Sequence, residues 1–334
     1  MGHIVFKYIY ISVDLEKSLH LTLQKINTPY NNLLTHITHQ LNLIHKSLNF
    51  FFSDPRSDNI RMACSWRRLP EDCVSRILSA TSPADACRVL AVSKEFRHPA
   101  DSNVVWDKFL PADAHRIVSS TPLNFSSTKE LFFLLSNSIL VDAGNKAFAL
   151  ERSTGRKSYI LSARELSISD NDVDGNWTWK SIHESRFGEV AELKGAERVE
   201  MEGKIRSEIL SPNTTYAAYL VFKISDDAYG LHSIPFETFI ASGERVLATN
   251  TAALRDPPLQ ALFYGNRLHK MKERLNRGDA RAARTRHDGW LEIEVGEFFV
   301  GGAAAEITMG VMEIKGHQLK GGLIVEGIHV RPKP

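Results

Sequence analysis

Trp177 and Trp179 stand two residues apart directly after Asn176, a few positions beyond Asp170, in the stretch SISDNDVDGNWTWK. A pyranose ring presents an apolar C–H face that stacks on indole, while its hydroxyls need amide or carboxylate partners. The cluster therefore has the composition of a sugar-contacting segment. In an extended chain, side chains two apart point to one side, which would bring both indoles to a common surface. Trp177 is expected to be the loop-exposed member of the pair and Trp179 the buried one. Glu306, read as lying in a loop before a strand, supplies a further carboxylate for hydroxyl contacts. Trp290 falls inside a strand-like alternation and reads as packing.

Other chemistry is poorly represented. His36, His39 and His45 have no cysteine or acidic partners at ligand spacing, so no metal site is expected. The three cysteines, Cys64, Cys73 and Cys87, lack C-x-x-C spacing and read as reduced thiols, which suits the cytoplasm and nucleus. There is no G-x-S-x-G, H-E-x-x-H or phosphate-binding loop, and no pair of strand carboxylates is set up as acid and base. A non-catalytic protein without cofactors is expected. Sequons at Asn124, Asn176 and Asn213 matter only in a secreted chain. The apolar stretch Ile4 to Val13 is broken by Lys7 and lacks a cleavage site, so no secretory leader is expected.

The net charge of +2, from 41 basic and 39 acidic residues, gives no global attraction to nucleic acid. A basic run from Arg267 through Lys270, Lys272, Arg274, Arg277, Arg281, Arg284 and Arg286 reads as a solvated face. Glu273 and Asp279 interrupt it, and no aromatics interleave. No segment reaches membrane-spanning length.

The elements that must position these residues fall into two textures. At 334 residues the chain exceeds what one core organises. From Leu69 the pattern is punctuated helix. Pro70 suits a first helical position, Glu71 and Asp72 favour the positive end of the dipole, and Val74, Ile77 and Leu78 share a face. Ser82, Pro83 and Asp85 form a second start signal, and Val105, Trp106 and Phe109 are apolar anchors further on. Residues 113–140 read as a helical linker with Leu131, Phe132, Leu134 and Leu135 packed on a neighbour. After that come short β-rich runs, KSYILSA, TYAAYLVFKI, GWLEIEVGEFF, AEITMGVMEI and GGLIVEGIHV, separated by turn residues. With no amphipathic helices between them, they predict an antiparallel sandwich rather than a doubly wound sheet. The fold class is α+β multidomain, a small all-α module followed by a jelly-roll-like β-sandwich. Residues 1–61 form an N-terminal extension of different texture, and Met62 opens the run MACSWRRLPEDC that leads into the first module.

The segment LPEDCVSRILSATSPADACRVLAVSKEFR followed by VVWDKFLP resembles an F-box of the kind found in plant proteins, placing that module at 62–112. The resemblance implies docking on the small SKP-type adaptor of a cullin scaffold, with Leu69, Pro70, Val74, Ile77 and Leu78 as the contact face. Cys73 and Phe96 stand where the wider family often has Leu and Trp. Residues 141–334 resemble the phloem-lectin domain (phloem protein two, Nictaba type) through YILSARELSI, WTWKSIHESRFGEVAEL, EGKI, LSPNTTYAAYLVFKI, HDGWLEIEVGEFF and GGLIVEGIHVRPK.

The joint order implies a ubiquitin-ligase adaptor that captures glycoproteins through N-acetylglucosamine oligomers or N-glycans. The alternative is a degenerate lectin fold that binds a protein target without sugar. Three positions depart from the lectin pattern: Asp170, Arg198 and Leu319 stand where relatives often carry tryptophan.

Overall fold

The structure, a computed structural model, describes residues 69–119, 123–169, 175–231, 236–254, 280–313 and 318–333. It divides into two compact units, the first joining residues up to Ala112 with Asn124–Leu134 and Arg152–Gly155, the second holding the rest. The N-terminal extension, with His36, His39 and His45, lies outside the described residues, as do Cys64, Asp170 and positions 267–277 of the basic run.

The first unit is helical. Helix α1 (Glu71–Ser79) begins one residue after Pro70, which occupies the N-cap position with no side-chain cap, so the proline sits just before the first turn rather than in it. Glu71 and Asp72 in the first turn and Arg76 in the last complement the helix dipole. Helix α2 (Pro83–Val89) carries the expected start. Ser82 Oγ accepts from Asp85 N at 3.1 Å and donates to Asp85 Oδ2 at 2.7 Å, a reciprocal cap with proline at N1. A short 3₁₀ turn (Lys94–Phe96) leads into α3 (Arg97–Asp101), and α4 (Asn103–Phe109) starts at the Ser102 cap.

Trp106, fully buried on α4, organises this unit. Its indole N–H donates to the Ala100 carbonyl at 2.7 Å, and its ring meets Phe109, Phe132 and Phe133 at centroid distances of 5.6, 5.2 and 5.4 Å. Phe132 and Phe133 belong to the helix Thr128–Ser136 (α6), so the expected linker supplies part of this core; α5 (Ala114–Ser119) precedes it. No described helix is long and apolar enough to cross a membrane.

The second unit is β-rich. Its strands are β1 (Ile139–Val141), β2 (Lys146–Leu150), β3 (Lys157–Ser162), β4 (Ser167–Ile168), β5 (Trp177–Lys180), β6 (Val190–Leu193), β7 (Glu200–Arg206) and β8 (Thr214–Tyr229). They continue with β9 (Phe236–Ser242), β10 (Arg245–Ala253), β11 (Arg281–Ala282), β12 (Arg284–Thr285), β13 (Leu291–Val300), β14 (Glu306–Glu313) and β15 (Gly321–Pro332). Among the described residues, one sheet runs β1-β2-β3-β15-β8-β13-β12, with β6 pairing β15 and β5 pairing β6; the other runs β11-β10-β9-β14-β7-β4. Every pairing is antiparallel except the two-residue contact of β10 with β11.

Alternation sends Leu220, Phe222, Ile293, Val295, Ile328 and Val330 into the core, each at most 1% exposed. The sheets meet where β13 shifts register between Glu294 and Gly296. There the Thr238 hydroxyl of β9 donates to the Val295 carbonyl at 2.7 Å, and a Cβ on Gly296 would fall 2.6 Å from Ile240. A second irregularity, in β15, requires glycine at 327: φ is +154°, and a Cβ would lie 1.8 Å from the Leu161 carbonyl oxygen.

Candidate functional site

The five expected docking positions divide in the folded helical unit. Val74 and Leu78, one turn apart on α1, are 5% and 3% exposed and belong to the core. Leu69 is 41% exposed, Pro70 is exposed and Ile77 is half-buried. Helix α1 packs on α4, whose Val104 is 51% exposed, and the Cys73 thiol is exposed as well. Of the five, Leu69, Pro70 and Ile77 are therefore the ones left at the surface, while Val74 and Leu78 are taken into the core.

The tryptophan pair reverses the sequence expectation. Both lie in β5, but Trp177 is 6% exposed and its indole N–H is buried without a hydrogen-bond partner, while Trp179 is half-buried. Trp177 pairs with Leu193 of β6, whose side chain is fully buried, and so faces the interior. Trp179 carries the Arg164 guanidinium 3.6 Å from its ring centroid, and Arg164 in turn reaches Glu189 Oε2 at 2.7 Å. A cation thus occupies a face of the more exposed indole. Trp290 is fully buried, with its N–H donated to the Glu184 carbonyl at 3.2 Å.

Asn176 lies in the turn before β5, where its backbone carbonyl accepts from Lys194 N at 2.8 Å. Glu306 is the first residue of β14 rather than a loop residue. It is exposed, pairs in register with Arg206 and lies 3.7 Å from Lys204 Nζ. It belongs to the other sheet, and none of these contacts joins it to β5.

Sequence reasoning missed a dense ionic network on the sheet that contains β15. Arg286, only 9% exposed, donates to Asp288 and, at 3.0 Å, to Glu292 Oε2. Arg331 holds both Glu292 oxygens at 2.7 and 2.8 Å, with its guanidinium 3.8 Å over the Tyr219 ring. Arg186 bridges Asp288 at 3.1 Å and the fully buried Glu326 at 3.4 Å. Burial pushes the Asp288 and Glu292 carboxyls up, but the guanidiniums more than offset it and hold both below their usual range.

At the centre stands His329. Its Nδ1 lies 3.2 Å from Arg286 Nη1 and 3.3 Å from Arg331 Nη1, and its Nε2 is 2.8 Å from Ser158 Oγ. Both arginines are donors only, so Nδ1 is the acceptor and Nε2 carries the proton, with Ser158 passing its own to the Val330 carbonyl. Burial, then Arg331, Arg286 and Arg186, drive its pKa well below the ordinary histidine value. Arg281, paired with Glu294, and Arg286 are thus ion-paired structural residues rather than parts of a solvated basic face. The only sequence signal was arginine and carboxylate recurring at strand spacing around Arg286, Asp288 and Glu292.

A second buried pair lies where Lys320, just before β15, meets Glu313 at the end of β14. Lys320 is fully buried, donates to the carbonyls of Glu197 at 2.6 Å and Gln318 at 2.5 Å, and lies 2.9 Å from Glu313 Oε2. The last contact is an ion pair whose angles fall short of a hydrogen bond.

The helical module and the antiparallel sandwich together define the class. An F-box-like family model matches residues 66–111 and a phloem protein 2 model matches residues 156–332, so the chain belongs to the F-box proteins that carry a phloem protein 2 domain. Among curated relatives in Arabidopsis thaliana, it is 42% identical to the F-box protein VBF over 79% of this chain and 99% of that one. It is 43% identical to the F-box protein PP2-B13 over 80% and 98%, and 44% identical to PP2-B15 over 80% and 96%.

Proposed function

We propose that this chain is the substrate-recognition adaptor of an SKP-cullin-F-box ubiquitin ligase. Its sandwich captures N-acetylglucosamine oligomers or N-glycans on target glycoproteins in the cytoplasm and nucleus. The observation that carries the reading is the union, in one chain, of an F-box presenting Leu69, Pro70 and Ile77 with a phloem protein 2 domain. The chain itself does no chemistry in this scheme; it brings the target to a transferase held elsewhere on the scaffold.

A second reading keeps the F-box and replaces the sugar by a protein target. It is favoured by the burial of Trp177 and the cation lying over Trp179.

The docking half is tested by co-purification of the full chain with an SKP-type adaptor. Replacing Leu69 and Ile77 by Glu removes two apolar contacts of about 1 kcal/mol or more each, so binding should weaken at least roughly tenfold with melting unchanged. Undiminished binding would refute the surface. Charge at Leu78 is the wrong probe, because it enters the core.

A further inference from the structure

The turn that opens the Trp177 strand is tied to an aromatic that sequence reasoning did not single out. Tyr229, the last residue of β8, is 42% exposed and pairs with Gly321 of β15. Its hydroxyl donates to the Lys194 carbonyl at 3.0 Å, and Lys194 N in turn donates to the Asn176 carbonyl at 2.8 Å. One residue's backbone therefore ties the Tyr229 ring to the turn that carries Asn176.

The ring rests on a floor cleared by glycines. A Cβ on Gly321 would lie 2.6 Å from Tyr229 Cε1 and 2.8 Å from Cζ, and one on Gly195 would lie 3.2 Å from the hydroxyl. Leu319, 56% exposed, borders the same glycine, with its Cδ1 3.7 Å from that Gly195 position. An aromatic anchored through its hydroxyl and seated on backbone, with an exposed aliphatic neighbour, is preorganised and loses little freedom on binding.

Polar groups rim the patch. The Lys194 side chain is 52% exposed, with its ammonium 2.8 Å from Glu192 Oε2. Asp227, exposed and hydrogen-bonded by the Ser225 hydroxyl, interacts electrostatically with that ammonium. A Cβ on Gly322 would lie 2.8 Å from Ser225 Oγ, so this hydroxyl, which donates to Asp227, stands beside the glycine that follows Gly321. An apolar platform with an ammonium, a carboxylate and a hydroxyl at its edge matches a pyranose, whose C–H face stacks while its equatorial hydroxyls both donate and accept.

We propose that Tyr229, flanked by Leu319 and rimmed by Lys194, Asp227 and Ser225, is the stacking platform for a pyranose of the captured glycan. This inference rests on the glycan reading of the sandwich. It assigns the stacking role to Tyr229, leaving Trp177 in the core and Trp179 beneath Arg164.

The test uses the full chain and immobilised N-acetylglucosamine oligomers and N-glycans, with wild type, Tyr229→Ala, Tyr229→Phe and Leu319→Glu titrated side by side. Tyr229→Ala should bind roughly tenfold more weakly, Tyr229→Phe within about threefold of wild type, and Leu319→Glu should weaken binding as well. Leu319→Glu changes an exposed residue, so it remains informative if the alanine variant folds poorly. Wild-type binding that persists unchanged in both Tyr229→Ala and Leu319→Glu would overturn the platform and leave the glycan reading standing. No binding by wild type would overturn the glycan reading and the platform with it.

Discussion

Lowering the pH should destabilise the β-rich unit through His329, and the size of the effect can be worked out. Its Nδ1 accepts from Arg286 and Arg331, so a proton there would turn an acceptor into a donor facing two guanidiniums. The folded protein thus resists protonation, whereas the unfolded chain takes the proton with the ordinary histidine pKa of about 6.5. Stability from this residue is complete above that value and declines below it, because the unfolded state then binds the extra proton.

Integrating one proton from pH 7.5 to 5.0 gives about 2 kcal/mol, or roughly 4–8 °C in Tm for a unit of this size. Asp288 and Glu292 act in the same sense at lower pH. Their contribution is present above the usual carboxylate range and fades only as pH falls through their depressed values, below this window. The assay is scanning calorimetry of wild type and His329→Gln at both pH values. Glutamine can accept from the arginines and donate to Ser158 but does not titrate, and the other histidines cancel in the comparison. Wild type should lose about 4–8 °C more than the variant on acidification; equal losses would refute the reasoning.

Two further substitutions probe the sandwich. Trp177→Ala should cost about 3–5 kcal/mol through the cavity it leaves, so it should lower the denaturation midpoint in urea, and any loss of ligand binding in it should track unfolding. Gly327→Ala should destabilise by about 2–3 kcal/mol or more, since its Cβ collides with the Leu161 carbonyl in a backbone conformation that other residues rarely adopt. Chemical denaturation followed by tryptophan fluorescence measures it, and an unchanged midpoint would contradict the packing described.

Features carried by a few adjacent residues were legible in the sequence. The Ser82–Pro83–Asp85 start of α2 is a local hydrogen-bond device and forms as read. The alternation of β13 follows from the two-residue period of a strand, with Ile293 and Val295 in the core. Trp290 is core as its setting suggested. Misreadings arose where burial depends on distant chain. Composition marks Trp177 and Trp179 as a pair, but pairing of Trp177 with Leu193 and the arrival of Arg164 decide which indole is covered and by what. Glu306 read as a residue of the loop before a strand, whereas pairing with β7 starts β14 at that residue.

The sequence by itself determined the two-part architecture, the caps and strand periods, and the F-box and phloem protein 2 patterns, because each is written in short-range spacing. Only the tertiary structure decided which residues are presented and which are consumed. It divided Leu69, Pro70 and Ile77 from Val74 and Leu78, seated Tyr229 on Gly321, and drew Ser158, Arg186, Arg286, Glu292 and Arg331 around His329. These residues lie on separate strands and loops, up to 171 positions apart, and meet only when antiparallel pairing of β15 with β3 and β8 sets their register. Exposure and electrostatic environment are properties of that assembled surface, and no local pattern encodes them.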